Sequence, residues 1–498
     1  MVLCVTPVKY QAFRWHRVGL LPFHPAMIRL ESLLSSTGVV FSLWFIYLSC
    51  RLVFAMRSNR SKLFVMMLLE FFVWGAWLPL IYGYLPGLGF SATEQAWILN
   101  AFPIAAIVGM FFSNQFADRN FAAEKFLAFS HLVGGISILA CGFVTTFWPF
   151  FILMLIHCLV YVPTISITNS ISFANIEDAK KDFPIVRAGG TIGWVLAAWP
   201  FTFILVDWES VNAANPEGLT QWLGTVLSSG LQGNDLLTAT KWTYIAAGVA
   251  SLALAAFSFT LPHTPPKKAV AGESDQMAWL SAMRLLRSPF ILVLWLVTFA
   301  DSFVHNCYFN WTGRFLSASV EDGGVGIAGN WIMPVMSVGQ VAEFGTMLVL
   351  GTALKKLGWR WTMVIGVLGH AVRFGAYAYF PQMQALIILI QVLHGVCYAF
   401  FFATVYIFVD AYFPKDARSS AQGLFNLMIL GIGALAANSI CPYLFDSVFS
   451  SVDAESGAKM TDYHGLFMVP LLCASVAAIL LALLFHPPEV STEDAAEN

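Results

Sequence analysis

Apolar stretches of about twenty residues recur along almost the whole chain, and nearly every Lys and Arg falls in alternate connections between them. A chain patterned this way cannot close around one soluble core. With 58% of its 498 residues hydrophobic and 11% charged, and a mean hydropathy of +0.73, lipid is the solvent for most of its surface. In hydrocarbon each backbone N–H and C=O must be paired inside the protein. Unbroken apolar runs of this length achieve that as helices, whereas barrel strands would alternate over roughly ten residues. The expected fold class is therefore an all-α integral membrane bundle.

Spans are expected at 63–85, 95–115, 123–144, 147–171, 187–206, 241–261, 289–310, 328–353, 361–380, 385–409, 421–444 and 464–486, twelve in all. Arg119 and Lys125 follow the second, Lys180, Lys181 and Arg187 the fourth, and Lys267, Lys268, Arg284 and Arg287 the sixth. Lys355, Lys356, Arg360, Lys415 and Arg418 continue the series. The opposite loops are nearly bare of positive charge. The longest, 207–240, carries Asp207, Glu209, Glu217 and Asp235, and Arg314 and Lys459 are the exceptions to the rule. The positive-inside bias puts both ends of the twelve-span unit in the cytoplasm, and the protein in the cell inner membrane.

The first 55 residues break this pattern. An apolar run at 38–55 contains Arg51, and as a span it would place Lys9, Arg14, Arg17 and Arg29 outside. Met56-Arg57-Ser58-Asn59-Arg60-Ser61-Lys62 is by contrast a natural basic start for the first span. The preferred reading takes Met56 as the functional start and residues 1–55 as upstream translation. An extra helix or an unusual targeting segment stays open as the alternative.

The eight cysteines have no paired spacing and read as small core residues rather than a disulfide or metal framework. There is no P-loop, no Cys/His cluster and no nucleophile elbow, so neither an enzyme nor a cofactor is expected, and the net charge of −2 implies no nucleic-acid partner. Pro262, Pro265, Pro266, Lys267, Lys268 and the polar run from Gly272 mark the best internal boundary. They divide the chain into a half at 56–261, a cytoplasmic linker at 262–288, a second half at 289–486 and a tail at 487–498. A short repeat supports the division. His157 and Tyr161 in the fourth span match His394 and Tyr398 in the tenth, and each pair is followed by an Arg and small residues, Arg187-Ala188-Gly189-Gly190 and Arg418-Ser419-Ser420-Ala421. Repeated halves of six are the layout of a transporter whose site lies between them near mid-membrane.

Ionisable groups inside spans cost roughly 2.5 to 3.5 kcal/mol each on insertion scales, so each needs a partner, a wet cavity or a function. Gln340 and Glu343, three apart on one helical face, read first as a substrate or proton site and second as a structural pair. Asp301, His305 and Asn306 divide evenly between the two readings. His370 and Arg373 read rather as structural partners of a buried acid, and His157 with Tyr161 as an interhelical hydrogen-bonding pair. Glu70, one turn before Trp74, stays open between a functional acid within its span and a side chain that snorkels to the cytoplasmic interface.

Asp182-Phe183-Pro184-Ile185-Val186-Arg187-Ala188-Gly189-Gly190-Thr191-Ile192-Gly193-Trp194 resembles the fourth-loop motif of the nucleoside:proton symporter family within the major facilitator superfamily. Tyr161-Val162-Pro163-Thr164, Thr168-Asn169-Ser170-Ile171-Ser172, Thr260-Leu261-Pro262-His263, Met336-Ser337 with Gln340 and Glu343, Arg418-Ser419-Ser420-Ala421-Gln422-Gly423 and Trp74-Gly75-Ala76-Trp77-Leu78 are similar to it as well, in order across residues 63–486. The general superfamily signature is weaker, Phe116-Ala117-Asp118-Arg119 with Asn114 where Gly is usual.

The resemblance implies a major-facilitator-type bundle that acts as a monomer and takes up nucleosides with protons. It further implies that Arg187, Thr191, Trp194, Asn306, Gln340, Glu343, His394 and Tyr398 line the nucleoside site. Such a set can hold ribose hydroxyls and base edges, with Trp194 and Tyr398 as stacking faces. Two positions depart from the bacterial transporters resembled: Ala399 stands where they have an acid, and Phe303 where they have Gln. The expectation for the coupling proton is therefore Glu343, with Glu70 or Asp301. The two departures keep open a transporter of another hydroxyl-rich solute such as a sugar, and a membrane-embedded sensor or enzyme is the remaining class.

Overall fold

The computed structural model describes residues 58–109, 121–177, 179–266, 286–413, 415–452 and 459–487. The expected extension 1–55, the Phe116–Arg119 stretch, the middle of the linker and the tail from 488 lie outside the described residues.

The chain runs through α1 (Asn59–Gly87), α2 (Ala92–Leu99), α3 (Ala101–Val108), α4 (Ala123–Cys141), α5 (Phe147–Ala174), α6 (Ala179–Ala198) and α7 (Lys241–Ser258). It continues through α8 (Pro289–Ser317) and α9 (Gly329–Tyr379), then α10 (Gln384–Tyr412), α11 (Ala421–Val448) and α12 (Tyr463–Leu484). Among the described residues, eight helices are long and apolar enough to cross a membrane: α1, α4, α5 and α8 to α12. The 51-residue α9 is two helices joined at Gly358, whose φ of +69° suits only glycine without strain. That break falls between Lys356 and Arg360, in the basic connection expected between two spans. The other expected spans are shorter or more polar. α2 and α3 meet at Asn100, α6 carries Asp182 and Arg187, and α7 has 18 residues.

Large apolar side chains such as Phe129, Trp148, Leu348 and Leu483 are more than half exposed on the outside of the bundle. That arrangement is stable only against lipid, and the protein is a multi-pass membrane protein. Inside, the apolar residues fall into separate clusters. The largest is drawn almost wholly from Ile291 to Phe485, and two others come mainly from α1 to α7.

Close helix approach in the first group depends on the glycines of the Arg187 motif. A Cβ at Gly193 would overlap the Leu68 carbonyl oxygen, and one at Gly189 the Phe64 carbonyl oxygen, so α6 lies directly on α1.

The acidic connection 207–240, expected as a loop, is instead built of short helices: Trp208–Ala213, Gly218–Ser228 and Gly233–Ala239. Asp207 caps the first by accepting from the amides of Glu209 and Ser210. The Ser210 hydroxyl and these amides hold its carboxyl below the ordinary value. The connection docks on the start of α9, where the Trp331 indole donates to the Leu227 carbonyl at 2.7 Å. A small hairpin, Ser450–Val452 paired antiparallel with Lys459–Thr461, joins α11 to α12.

Candidate functional site

A cavity of about 530 Å³ lies between the two groups of helices. All eight residues that the resemblance implied line it: Arg187, Thr191, Trp194, Asn306, Gln340, Glu343, His394 and Tyr398. Helix geometry explains why residues scattered over some 210 positions converge. Arg187, Thr191 and Trp194 are spaced i, i+4, i+7 along one stripe of α6, and Gln340 and Glu343 are one turn apart on α9. A Cβ at Gly395 would overlap the Glu343 amide nitrogen, so α10 presses on α9 and brings His394 against Gly339.

One wall is aromatic. Trp74 stacks on Phe102 with ring centres 4.8 Å apart and 16° between planes, and Trp194 meets Trp74 edge-on at 5.5 Å. The Arg187 guanidinium sits 4.2 Å over the Phe71 ring. The opposite wall carries the carboxylate. Among the described residues no hydrogen bond or ion pair holds the Glu343 carboxylate, and Arg187 is the charged group that acts on it through space. Elsewhere on the cavity lining Tyr406 donates to the Asn426 side chain at 2.5 Å, bracing α10 on α11.

Glu70 and Asp301, the other expected proton carriers, do not line the cavity. Glu70 is fully buried rather than reaching the interface. Its carboxylate meets His131 Nε2 at 2.8 Å and accepts from the Thr164 hydroxyl at 2.8 Å, while Tyr161 donates to its backbone carbonyl. Asp301 is fully buried 3.6 Å from His370 Nε2. His370 and Arg373 therefore do stand beside a buried acid, as the spacing suggested. The two His-x3-Tyr pairs part company here. His394 and Tyr398 face the cavity, whereas His157 bonds the Gly134 carbonyl at 2.9 Å and stacks on Tyr161 away from it.

The expected set omitted His305, Trp74, Phe102, Phe309 and Phe402, which also line the cavity. His305 had a signal, the turn shared with Asp301. The aromatics had none, because 15% of this chain is aromatic and no spacing separates a cavity wall from a lipid-facing ring. Ala399 is fully buried at the start of a π-helical turn, Tyr398–Ala403, and Phe303 packs against the apolar core.

The sequence profile of the nucleoside H+ symporter family matches residues 57–490, spanning every helix that forms this cavity. The chain belongs to the nucleoside H+ symporter family. It is 32% identical to YegT of Escherichia coli over 433 residues, covering 86% of this chain and 94% of YegT. It is 27% identical to the xanthosine permease of Escherichia coli, over 87% of this chain and 98% of the permease. The nucleoside permease NupG of the same organism is 26% identical, over 76% and 85% of the two chains. A crystal structure of nucleoside transporter NupG shares the fold, with a TM-score of 0.69 at 23% identity over 87% of this chain and 100% of that one. The structure of a D-xylose-proton symporter follows at a TM-score of 0.59 and 13% identity, over 86% and 98%. As a member of the nucleoside H+ symporter family the protein is a transporter and not an enzyme, as the lack of any nucleophile or metal motif led one to expect.

Proposed function

We propose that the protein imports nucleosides across the cell inner membrane by proton symport, as a monomer of twelve transmembrane helices in two six-helix halves with both ends cytoplasmic. The observation that carries this reading is the cavity of about 530 Å³ between the helix groups, with stacking faces on one wall and, on the other, a carboxylate that no hydrogen bond or ion pair holds among the described residues. Trp194, Trp74 and Tyr398 offer the base its flat contacts, and Arg187, Thr191, Asn306, Gln340 and His394 offer hydrogen bonds to ribose and base edges. Glu343 is the proton carrier, with Glu70 or Asp301, buried behind the wall, as the second ionisable group.

Coupling then follows from differential affinity. Protonation from outside removes the Glu343 charge and favours the loaded protein rocking inward, and proton release inside resets the cycle. Hydrogen bonds across the helix groups, from Asn100 to Ser439 at 2.8 Å and from Asn438 to the Leu99 carbonyl at 2.9 Å, close one end of the cavity. The positive-inside reading makes that the outer end.

Uptake of labelled uridine and adenosine into vesicles, with and without an inward proton gradient, tests the proposal. Gradient-driven accumulation is expected, and Glu343→Gln is expected to abolish it while leaving uridine exchange across the membrane. Accumulation that survives the substitution would remove Glu343 from the mechanism. Absence of nucleoside uptake by folded protein would transfer the same cavity to another hydroxyl-rich solute.

A further inference from the structure

Behind the cavity wall in the second helix group lie Arg373 and His370, which the proposed mechanism leaves unused. Arg373, fully buried on α9, donates from one terminal nitrogen to His394 Nδ1 at 3.0 Å and from the other to His370 Nδ1 at 2.9 Å. Its guanidinium lies 4.3 Å over the Tyr308 ring. His394 stacks on His305 at 4.7 Å, and both imidazoles line the cavity.

Hydrogen-bond bookkeeping fixes what His394 shows the cavity. Arg has donors and no acceptor, and it stays protonated in proteins. The Nδ1 atom it contacts must therefore be a bare lone pair. A histidine with bare Nδ1 is neutral and carries its hydrogen on Nε2. The same holds for His370, whose Nε2–H is thereby turned toward Asp301 at 3.6 Å.

We infer that Arg373 is the positioning residue of the substrate cavity: it locks His394 as the neutral Nε2–H tautomer, so that His394 meets the bound solute as a hydrogen-bond donor to an acceptor atom and not as a base. The site then presents an oriented donor at His394 on α10 and, while Glu343 is ionised, an acceptor on α9, two helices held in backbone contact by Gly395. A solute with a carbonyl or ring-nitrogen acceptor beside an N–H satisfies both. Arg373 touches no solute itself, so its effect is exerted wholly through His394.

Two measurements on the full chain test this. Nitrogen-15 NMR of histidine-labelled protein, with the His394 signals assigned by their loss in His394→Gln, reads the tautomer directly. The Nε2–H form is expected in the wild type, and a mixture of tautomers in Arg373→Met. An Nδ1–H or doubly protonated His394 in the wild type at neutral pH would overturn the inference, whether or not any variant folds. Equilibrium binding of uridine, which rests on the nucleoside reading above, supplies the second. Arg373→Met is expected to weaken binding about tenfold, as losing one oriented hydrogen bond does. Adding His394→Gln to it is expected to cost nothing more. Fully additive losses would show that Arg373 acts otherwise than through His394. If the wild-type protein binds no uridine, the nucleoside reading fails, and the tautomer is still decided by the spectrum.

Discussion

Two carboxylates inside the helix bundle show how neighbours decide a residue's role. Glu343 stands at the cavity with no hydrogen bond from the described residues, whereas Glu70 is fully enclosed by its partners. The Ser251 hydroxyl donates to the His131 carbonyl at 3.0 Å, so at 2.9 Å it must accept from His131 Nδ1–H. The 2.8 Å contact between His131 Nε2 and Glu70 therefore contains a proton, whichever atom owns it. Glu70→Leu leaves that imidazole nitrogen buried and unpaired in the middle of α1, α4, α5 and α7. It is expected to destabilise the protein by about 1–3 kcal/mol, read as a lower melting temperature in detergent, with uridine affinity nearly unchanged because Glu70 does not line the cavity. A variant as stable as the wild type would show that the pair contributes nothing to the fold.

At the scale of elements, the sequence motif around Arg187 serves two tasks on one helix. Its glycines face α1 and let the backbones touch, while Arg187, Thr191 and Trp194 face the cavity. The packing and the site are thus linked by a rigid rod. Gly193→Leu would force α6 off the Leu68 carbonyl, an overpacking that costs about 1–3 kcal/mol or more. The expected result is a lower melting temperature together with weakened uridine binding, since all three site residues shift with the helix. Retained affinity in a destabilised variant would argue that α6 is not held by α1 alone. The π-helical turns Tyr398–Ala403 in α10 and Leu427–Ile432 in α11 also border the cavity. Such turns re-aim side chains within an otherwise continuous helix, and nothing in the apolar pattern of these spans announces them.

For the whole molecule, the hydrogen bonds that cross between the helix groups at one end of the cavity form a small polar set. Asn100 to Ser439 and Asn438 to Leu99 are joined by Gln95, which donates to Asp446 at 3.2 Å, and Asp446 in turn pairs with Arg314 at 3.4 Å. Each such hydrogen bond contributes on the order of 1 kcal/mol, so a closure built from them can be opened by a modest change in binding energy. The double substitution Asn100→Ala and Asn438→Ala is expected to shift the population toward the opposite opening by roughly tenfold or more. A single cysteine introduced into the cavity, probed with a membrane-impermeant thiol reagent from each side, measures that shift. Unchanged labelling from both sides would mean that other contacts hold the closure.

Local chemistry written in the sequence determined a good part of this protein. Apolar run length and the distribution of Lys and Arg dictated membrane helices, because lipid leaves the backbone no other way to pair its polar groups. The Arg187 motif and the Gln340–Glu343 spacing carried the family resemblance. What only the tertiary structure decided depends on contacts between residues far apart in the chain. It joined the eight scattered residues into one cavity, enclosed Glu70 with His131 and Thr164 instead of leaving it at the interface, and folded the 207–240 connection onto α9. It also set Arg373 between His370 and His394. A buried polar group takes its role from whichever donors and acceptors the folded chain brings within about 3 Å of it, and spacing along one helix does not contain that information.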